Sequence, residues 1–499
     1  MYLLGFDIGS SSIKAALLDG DNNKTVAVVT SPSDHELTMS APQQGWAEQN
    51  PDTWWDHICI ATKSLLEKTK ISPSDIKAIG IAYQMHGLVM VDKHHQAIRP
   101  SIIWCDSRAV SIGEETFERL GSSYCLGHLL NSPGNFTASK LRWVLEKEPE
   151  LFAKTSQFML PGDYLAMKMT GEIKSTISGL SEGTLWDFKE NKVADQLLAH
   201  LGISESLVPN LTPTFGFQGA LTGDAAKLMG LTEGIAITYR AGDQPNNALS
   251  LGVIEDGEVA ATGGTSGVVY GVKNQPIADK AARINSFAHV NYTHKTPMTG
   301  ALLCINAAGI LYRWVRLLIG EKLSYSEMEV MAAKATVGSD GAVVLPFGNG
   351  AERMFGNRDL GASIEGLQLN RHTKNDIIRA SLEGIAFSFI YGMQVLEELG
   401  IPIQKMRVGS DNLFQSNIFS STISNLMGTQ IELVANTGAV GAARGAGFGL
   451  GHFSSLKEAV SSDKVIKSYT PSSTLGYGEA YEKWKNTLNK KINNHDESK

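Results

Sequence analysis

The sequence predicts an α/β protein made of two domains that flank a catalytic cleft. Its 499 residues exceed what one hydrophobic core usually organises, which points to two or three domains. Strand-like runs such as 79–81 and 88–91 alternate with helical patterns such as 53–70, as is typical of α/β domains. Two similar turns rich in glycine and hydroxyl residues lie about half a chain apart, which indicates two related halves.

The first of these turns joins two predicted strands near the start of the chain. Apolar residues over 3–6 lead into it, and residues 13–17 follow with strand-like alternation. Backbone amides at such a bend cradle phosphate oxygens, hydroxyls add donors, and Lys14 adds a cation. The predicted phosphate-binding residues of this turn are Gly9, Ser10, Ser11 and Ser12.

Asp7 is the unusual residue of the first predicted strand. A carboxylate in a mostly apolar strand is costly unless another group compensates it, and Mg²⁺ is one such partner. We therefore expect Asp7 to help hold a magnesium ion. The alternative is a plain hairpin in which protein groups satisfy the carboxylate.

The second turn repeats the design, because small residues precede an apolar strand over 268–270. Its predicted phosphate contacts are Gly264, Thr265 and Ser266. Two such turns would hold the inner and terminal phosphates of one nucleotide in a cleft between two domains. The chain contains no G-x-x-x-x-G-K-[ST] motif, which disfavours a Walker-type NTPase and favours another kind of ATP-dependent kinase.

Asp243 is the candidate catalytic base. It follows the strand-like run 235–239 in a turn that continues with Gln244, a predicted substrate contact, and Pro245. In phosphoryl transfer to a hydroxyl, a carboxylate orients the hydroxyl and takes its proton late. The alternative is that Asp243 caps a helix that begins near Pro245.

Two further polar clusters border predicted strands and are candidate substrate sites. Met85 and His86 directly precede the apolar run 88–91, where an imidazole beside a glycine can project into a cleft. Asp106 and Arg108 are suited to binding several hydroxyls of a polyol. The alternatives are a satisfied turn histidine and a surface ion pair of small energetic value.

Composition and charge exclude several classes of protein. A net charge of −7 without a dense Lys/Arg stripe disfavours a nucleic-acid partner. No uninterrupted apolar stretch reaches about 18 residues, so we expect no membrane span, and the chain does not begin with the pattern of a secretory signal. The four cysteines are widely spaced and form no C-x-x-C pair, which favours a cytoplasmic protein.

Two helices are predicted in the second half of the chain. Thr373 and Asp376 form a capping box before an apolar helical face that ends near Gly400. The second predicted helix spans 438–449, and the spacing of its glycines favours close packing against a neighbour over nucleotide contact. We expect 1–244 and 245–485 to be the two domains and 486–499 to be a polar, frayed tail.

Several motifs, in order, resemble those of the FGGY carbohydrate kinases of the actin-like ATPase superfamily, and the resemblance covers nearly the whole chain. Residues 362–367, with 376–377 and 380–383, are similar to the family's C-terminal signature. The looser N-terminal signature is matched by Thr137, Lys140, Leu141 and Trp143. Residues 84–87, Gln-Met-His-Gly, are similar to the substrate motif of xylulokinases, which phosphorylate D-xylulose on its 5-hydroxyl with ATP.

This resemblance implies two actin-like, ribonuclease-H-like domains, ATP as phosphoryl donor, Mg²⁺ as cofactor, D-xylulose as substrate and, at the level of the family, a homodimer. It also implies that Asp243 is the base, that Met85 and His86 contact the sugar, and that Asp7 positions Mg²⁺ and the acceptor. Residues 409–412 replace the family's usual adenine turn, so Gly409 and Asn412 are predicted nucleotide contacts. Cys105 stands where many xylulokinases carry Asn.

Three alternatives remain open from the sequence. The first is an FGGY kinase for another acceptor, such as ribulose, gluconate or glycerol. The second is an actin-like binding protein that is switched by nucleotide and needs no acceptor base. The third is a catalytically silent sugar sensor that binds xylulose without turnover.

Overall fold

The computed structural model describes residues 1–410, 412–461, 464–472 and 475–497. The strands of the described residues, in chain order, are β1 (Tyr2–Ile8), β2 (Ile13–Asp19), β3 (Lys24–Ser31), β4 (Glu48–Gln49), β5 (Ile76–Tyr83), β6 (Val89–Val91), β7 (Ser101–Ile102), β8 (Gln157–Met159), β9 (Lys174–Ser175), β10 (Trp186–Asp187), β11 (Lys192–Val193), β12 (Asn210–Leu211), β13 (Phe215–Ala220), β14 (Ala236–Gly242), β15 (Glu258–Gly263), β16 (Gly267–Lys273), β17 (Asn285–Ala288), β18 (Thr299–Ile305), β19 (Val343–Leu345), β20 (Ser363–Glu365), β21 (Lys405–Gly409), β22 (Gln430–Val434) and β23 (Val465–Tyr469).

The α-helices of the described residues are α1 (Pro51–Thr69), α2 (Val110–His128), α3 (Thr137–Lys147), α4 (Pro149–Phe152), α5 (Pro161–Thr170), α6 (Ile177–Glu182), α7 (Asp195–Leu201), α8 (Gly223–Met229), α9 (Asp243–Ser250), α10 (Gly309–Gly320), α11 (Tyr325–Ala332), α12 (Lys374–Glu398), α13 (Asn417–Met427), α14 (Gly438–Gly449), α15 (Leu456–Ala459) and α16 (Tyr477–Glu497).

Two large sheets form the centres of two lobes and share one topology. The first sheet has the order β13-β14-β5-β1-β2-β3, and the second has the order β17-β18-β16-β15-β21-β22-β23. In each, an antiparallel hairpin is followed across the sheet by two parallel strands, β5 and β14 in the first and β21 and β22 in the second. The prediction of two related α/β halves is therefore confirmed.

The central strands are apolar runs because helices cover both faces of each sheet. In the first lobe, α1 packs on one face, and α14 from the second half of the chain packs on β1, β5 and β14. Residues 88–211 add a further subdomain with its own apolar core, in which α2, α3 and α7 surround Trp186. The second lobe has a separate core built around α12 and the second sheet.

Helices α9 and α14 cross between the lobes in close contact. A Cβ on Gly441 would lie 2.5 Å from the Cβ of Ser250, and one on Gly445 would lie 2.6 Å from the Tyr239 ring. Only glycine allows this approach, which confirms that the glycines of α14 serve packing. The predicted domain boundary at 244/245 stays a prediction, and it falls in the first turn of α9.

Two predictions about helix ends have opposite outcomes. Helix α12 begins after Thr373, whose capping box with Asp376 is present, and it ends just before Gly400, as predicted. The prediction of a frayed tail is wrong as far as residue 497, because α16 buries Tyr481, Trp484 and Leu488 against the second lobe. Among the described residues, no helix is long and apolar enough to cross a membrane.

Candidate active site between the two lobes

The candidate site begins at the carboxyl ends of β1, β5 and β14, which lie side by side in the first sheet. Register pairs Ile8 with Tyr83 and Tyr83 with Gly242, so the segments that follow these three strands meet at one edge. Ligands of open α/β sheets bind at this kind of edge. The sheet thereby brings together Asp7, Met85, His86 and Asp243, which lie far apart in the sequence.

Asp243 is the first residue of α9, and Gly242 takes the N-cap position. The alternative that Asp243 caps a helix beginning near Pro245 is therefore wrong. Burial, with the nearby charge of Asp7, raises the pKa of Asp243 to about 7, while hydrogen bonds from Gln244 oppose the rise. A carboxylate with this pKa is a better proton acceptor near neutral pH than an ordinary aspartate.

Asp7 lies at the end of β1, where the register pairs it with Lys14 of β2. Burial raises the pKa of Asp7, and the charge of Lys14 opposes this rise. Its carboxylate faces the start of α14, where a Cβ on Gly438 would lie 2.5 Å from Oδ2. Among the described residues no protein group donates a hydrogen bond to it, so the alternative of a plain hairpin in which protein groups satisfy the carboxylate finds no support there.

The first predicted phosphate turn has the expected hairpin form. The Gly9 amide donates to the Ser12 carbonyl oxygen at 3.0 Å, which closes the bend. Two further bonds hold the turn from outside, because Gln49 Nε2 donates to the Ser10 carbonyl oxygen at 2.7 Å and the Leu37 amide donates to that of Ser11 at 2.8 Å. The carbonyl oxygens of Ser10, Ser11 and Ser12 therefore all accept hydrogen bonds from the protein, while the Ser11 residue is exposed to solvent.

His86 is held in one orientation near the candidate base Asp243. Its Nδ1 is 2.8 Å from the carbonyl oxygen of Glu182, so Nδ1 carries the hydrogen and Nε2 is left as an acceptor. The Phe136 and Phe287 rings lie 4.7 and 5.2 Å from the imidazole centre. Burial lowers the pKa of His86 to about 3, so the ring is neutral. The neighbouring Met85 is buried next to Gly242.

Lys140 ties the two candidate substrate segments together. Its ammonium group donates to the carbonyl oxygen of His86 at 2.8 Å and to that of Ile103 at 3.0 Å. Burial lowers the pKa of Lys140 to about 7, against the favourable charge of Asp106. The sequence marked Lys140 as part of a signature, and only the fold reveals that it joins the His86 segment to the segment that leads into Asp106.

Asp106 and Arg108 form a buried ion pair. Arg108 Nη2 lies 2.7 Å from Asp106 Oδ2, and the two side chains are 1% and 0% exposed. The guanidinium also lies 3.7 Å from the centre of the Trp46 ring. The alternative of a surface ion pair is wrong, because the pair is internal. Binding of sugar hydroxyls by this pair stays a prediction that its burial does not favour.

The second predicted turn borders a cavity of about 550 Å³ in the second lobe. The turn residues Gly264, Thr265 and Ser266 are exposed, and the amides of Gly309 and Ile310 donate to the first two carbonyl oxygens at 2.9 and 3.1 Å. These bonds fix the start of α10 against the turn. A cavity of this size suits a nucleoside.

The far wall of the cavity was not found from the sequence. It is formed by α10, α11 and the segment before α13, and includes Tyr312, Arg313, Tyr325, Glu329, Gln415 and Ser416. No motif marked these residues, because they converge only through packing. The predicted contact Asn412 lies on the wall, and Gly409 ends β21 next to it; Asp411 of the same segment lies outside the described residues.

Comparison with known proteins places both lobes in one family. Residues 2–250 match the N-terminal domain and residues 259–450 the C-terminal domain of the FGGY family of carbohydrate kinases. Xylulose kinase of Escherichia coli strain K12 is 30% identical over 451 residues, covering 89% of this chain and 88% of the relative.

Solved structures share the fold throughout. Xylulose kinase from Rhodospirillum rubrum matches with a TM-score of 0.87 and 26% identity, over 99% of this chain and 100% of that one. Gluconate kinase from Lactobacillus acidophilus matches with a TM-score of 0.89 and 21% identity, over 100% and 99% of the two chains. The fold is therefore shared by solved kinases that are named for different sugars.

Proposed function

Because the chain belongs to the FGGY family of carbohydrate kinases, we propose that it transfers the terminal phosphoryl group of ATP to the 5-hydroxyl of D-xylulose. The relatives named xylulose kinase and the Gln84–Gly87 segment support this choice of sugar. One observation carries the proposal: Asp243, with its pKa raised to about 7, stands at a helix start beside both Asp7 and the His86 segment.

In the proposed reaction, Asp243 orients the attacking hydroxyl and accepts its proton as the new O–P bond forms. The transition state of phosphoryl transfer is loose, so positioning and charge stabilisation matter more than early deprotonation. The start of α9 adds its backbone amides, whose partial positive charge favours the ionised carboxylate and nearby anionic oxygens. Asp243 then holds the proton until the product leaves.

His86 and Met85 form the proposed floor of the sugar pocket. Because Nδ1 of His86 is engaged by Glu182, the free Nε2 accepts a hydrogen from a sugar hydroxyl. A neutral imidazole fits a neutral sugar, whereas a charged one would add a cation with no partner. Gln244, the next residue after the base, stays a proposed substrate contact.

The nucleotide is proposed to span the two lobes. Its base and ribose occupy the cavity beside α10 and α11, and its phosphates run past Gly264–Ser266 toward Gly9–Ser12. Ser11 of the first turn and Gly264–Ser266 of the second are exposed, and their amides and hydroxyls are suited to phosphate oxygens, while Lys14 adds the cation. Gly409 and Asn412, at the cavity edge, are proposed nucleotide contacts.

Magnesium fits the donor set at Asp7. A hard cation takes oxygen ligands, and Mg²⁺ in kinases is usually held by one or two carboxylates together with substrate phosphates. Asp7 supplies such a carboxylate, and no cluster of three or more metal-binding side chains occurs among the described residues. When bound, the ion would neutralise charge on the phosphate oxygens.

An alternative is an FGGY kinase for another sugar or polyol. It is favoured by the exposed Cys105 next to the sugar segments, in place of the Asn that many xylulokinases carry. A binding protein without turnover has no need of a base with a raised pKa at Asp243, so the site gives it less support.

A panel of acceptors tests the proposal. Purified enzyme is given ATP and Mg²⁺ with D-xylulose, D-ribulose, gluconate or glycerol, ADP release is followed, and the product is identified by ³¹P NMR. We expect D-xylulose to give the highest kcat/KM and a 5-phosphate product. Faster turnover of another acceptor would assign a different sugar, and no sugar-dependent turnover would support the binding-protein alternative.

A further inference from the structure

Glu182, the last residue of α6, is a buried carboxyl group for which the proposed reaction has no role. The residue is 1% exposed, and its carboxyl group faces the Tyr83 hydroxyl, although among the described residues neither carboxyl oxygen accepts a well-formed hydrogen bond. A buried charge without a partner is strongly destabilising. Such a group calls for an explanation from its surroundings.

The side chain lies against the residue that precedes the proposed base. A Cβ on Gly242 would overlap Glu182 Oε2 and would lie 2.6 Å from Met85 Cγ. Glycine at 242 therefore leaves room for both side chains. Because Gly242 caps α9 and Asp243 is its first residue, the Glu182 side chain packs at the junction from which the helix and the Asp243 carboxylate begin.

The main chain of Glu182 orients the other functional side chain of the sugar site. Its carbonyl oxygen accepts the Nδ1 hydrogen of His86 at 2.8 Å, which leaves Nε2 as an acceptor. The same residue therefore contacts the Gly242–Asp243 junction through its side chain and His86 through its backbone.

The protonation state of Glu182 is consistent with this location. Burial raises the pKa of Glu182 well above its ordinary value, and the charges of Asp243 and Asp163 raise it further. The carboxyl group is therefore neutral, which avoids the cost of a buried unpaired charge. It packs as a neutral acid beside Tyr83, the tyrosine that ends β5.

We infer that Glu182 is a positioning residue for sugar phosphorylation, which holds Asp243 through its packing on Gly242 and fixes the His86 ring through its carbonyl oxygen. The inference rests on the proposed function, because it gives Asp243 and His86 their roles there. Glu182 itself does not accept the proton of the sugar hydroxyl.

Three variants test the inference. Glu182→Gln keeps the size of a neutral carboxyl, Glu182→Ala removes the packing on Gly242, and Glu205→Gln makes the same chemical change at an exposed site of the same lobe. For each, kcat and both KM values are measured with the best acceptor of the wild-type enzyme, and melting temperature reports folding.

We expect Glu182→Gln and Glu205→Gln to keep kcat within about threefold of wild type and Glu182→Ala to lose about tenfold or more, since small displacements of reacting groups are costly. The KM for ATP should stay unchanged. If Glu182→Ala lowers only the melting temperature, the role is structural and the inference is wrong. If Glu182→Gln lowers kcat as much as Glu182→Ala does, the claim that Glu182 acts as a neutral positioning group is also wrong.

A second measurement does not depend on turnover. In protein labelled with ¹⁵N-histidine, His86, assigned with His86→Gln, should show the neutral Nδ1–H tautomer. Glu182→Ala keeps the carbonyl oxygen but removes the packing that holds this end of α6, so it should shift that oxygen and disturb the His86 resonances, while Glu205→Gln should not. An enzyme that turns over no sugar but shows this pattern would overturn the proposed function and leave the coupling of Glu182 to His86 intact. Unchanged His86 resonances in Glu182→Ala would overturn that coupling.

Discussion

The β1–β2 hairpin of the first lobe and the β15–β16 hairpin of the second share a topology but differ in charge. In the first lobe, Asp7 pairs with Lys14 one position before the turn of β1 and β2. At the equivalent place in the second lobe, Thr262 pairs with Val268. The first hairpin thus carries a charged pair where the second carries a neutral one.

The two helices that cross between the lobes show the same contrast. Helix α9 begins with Asp243, while α14, which follows the equivalent strand of the second lobe, begins with Gly438. A Cβ on Gly438 would lie 2.5 Å from Asp7 Oδ2. One helix start supplies a carboxylate, and the other leaves room for the carboxylate of Asp7.

The comparison shows how a duplicated fold supports a single site. The first lobe holds the acidic groups and the proposed sugar-binding segments, whereas the second holds the cavity of about 550 Å³ and the glycine that leaves room for Asp7. What each lobe contributes to the site therefore depends on the side chains at the edge of its sheet, and the shared topology does not determine it.

The largest effect is expected from substitutions at the matched positions of the two hairpins, Asp7 and Thr262. Asp7→Asn should lower kcat by about a hundredfold or more, the usual size for loss of one electrostatic stabiliser of a transition state. Thr262→Ser, a change at the matched position of the second hairpin that keeps the hydroxyl contacted by Asn412, should alter kcat by less than about threefold because no charge is lost. Sugar-dependent ADP release measures both, and equal losses would contradict the contrast.

The next largest effect on kcat is expected at Gly438, the glycine that leaves room for the Asp7 carboxylate. Gly438→Ala should displace the Asp7 carboxylate and lower kcat by about tenfold to a hundredfold. Its control is Gly127→Ala in α2, where a new Cβ would meet no heavy atom within 4 Å. Melting temperatures separate misfolding from misplacement. Full activity of Gly438→Ala would show that Asp7 does not need this space.

The pH dependence of kcat/KM sharpens the account further. Asp243 must be ionised to accept a proton, and its pKa is raised to about 7, so kcat/KM should fall as the pH drops through this value. His86, with its pKa lowered to about 3, does not titrate there. A His86→Gln variant should therefore be less active but keep the same acidic limb, and loss of the limb would assign it to the histidine.

The parts predicted from sequence are those with local signals. Glycine turns between apolar runs gave both hairpins, and the Thr373–Asp376 spacing gave the start of α12, because each depends on a few neighbouring residues. The helical tail was missed because a polar composition hid the three-residue apolar stripe that packs on the second lobe.

The parts missed from sequence depend on distant packing. Lys140 holds two segments through their carbonyl oxygens, and Glu182 lies against Gly242, contacts that no spacing in the chain encodes. The burial of the Asp106–Arg108 pair is likewise set by neighbouring elements such as the loop at Trp46.

The central claim is that Asp243 serves one sugar-phosphorylating site between the lobes. It is tested most directly by measuring ADP release from wild type and Asp243→Asn, each with and without D-xylulose, beside the exposed control Asp224→Asn. The account predicts sugar-dependent turnover in wild type and control, and a loss of about a hundredfold to ten-thousandfold in Asp243→Asn. Comparable turnover in Asp243→Asn would contradict it.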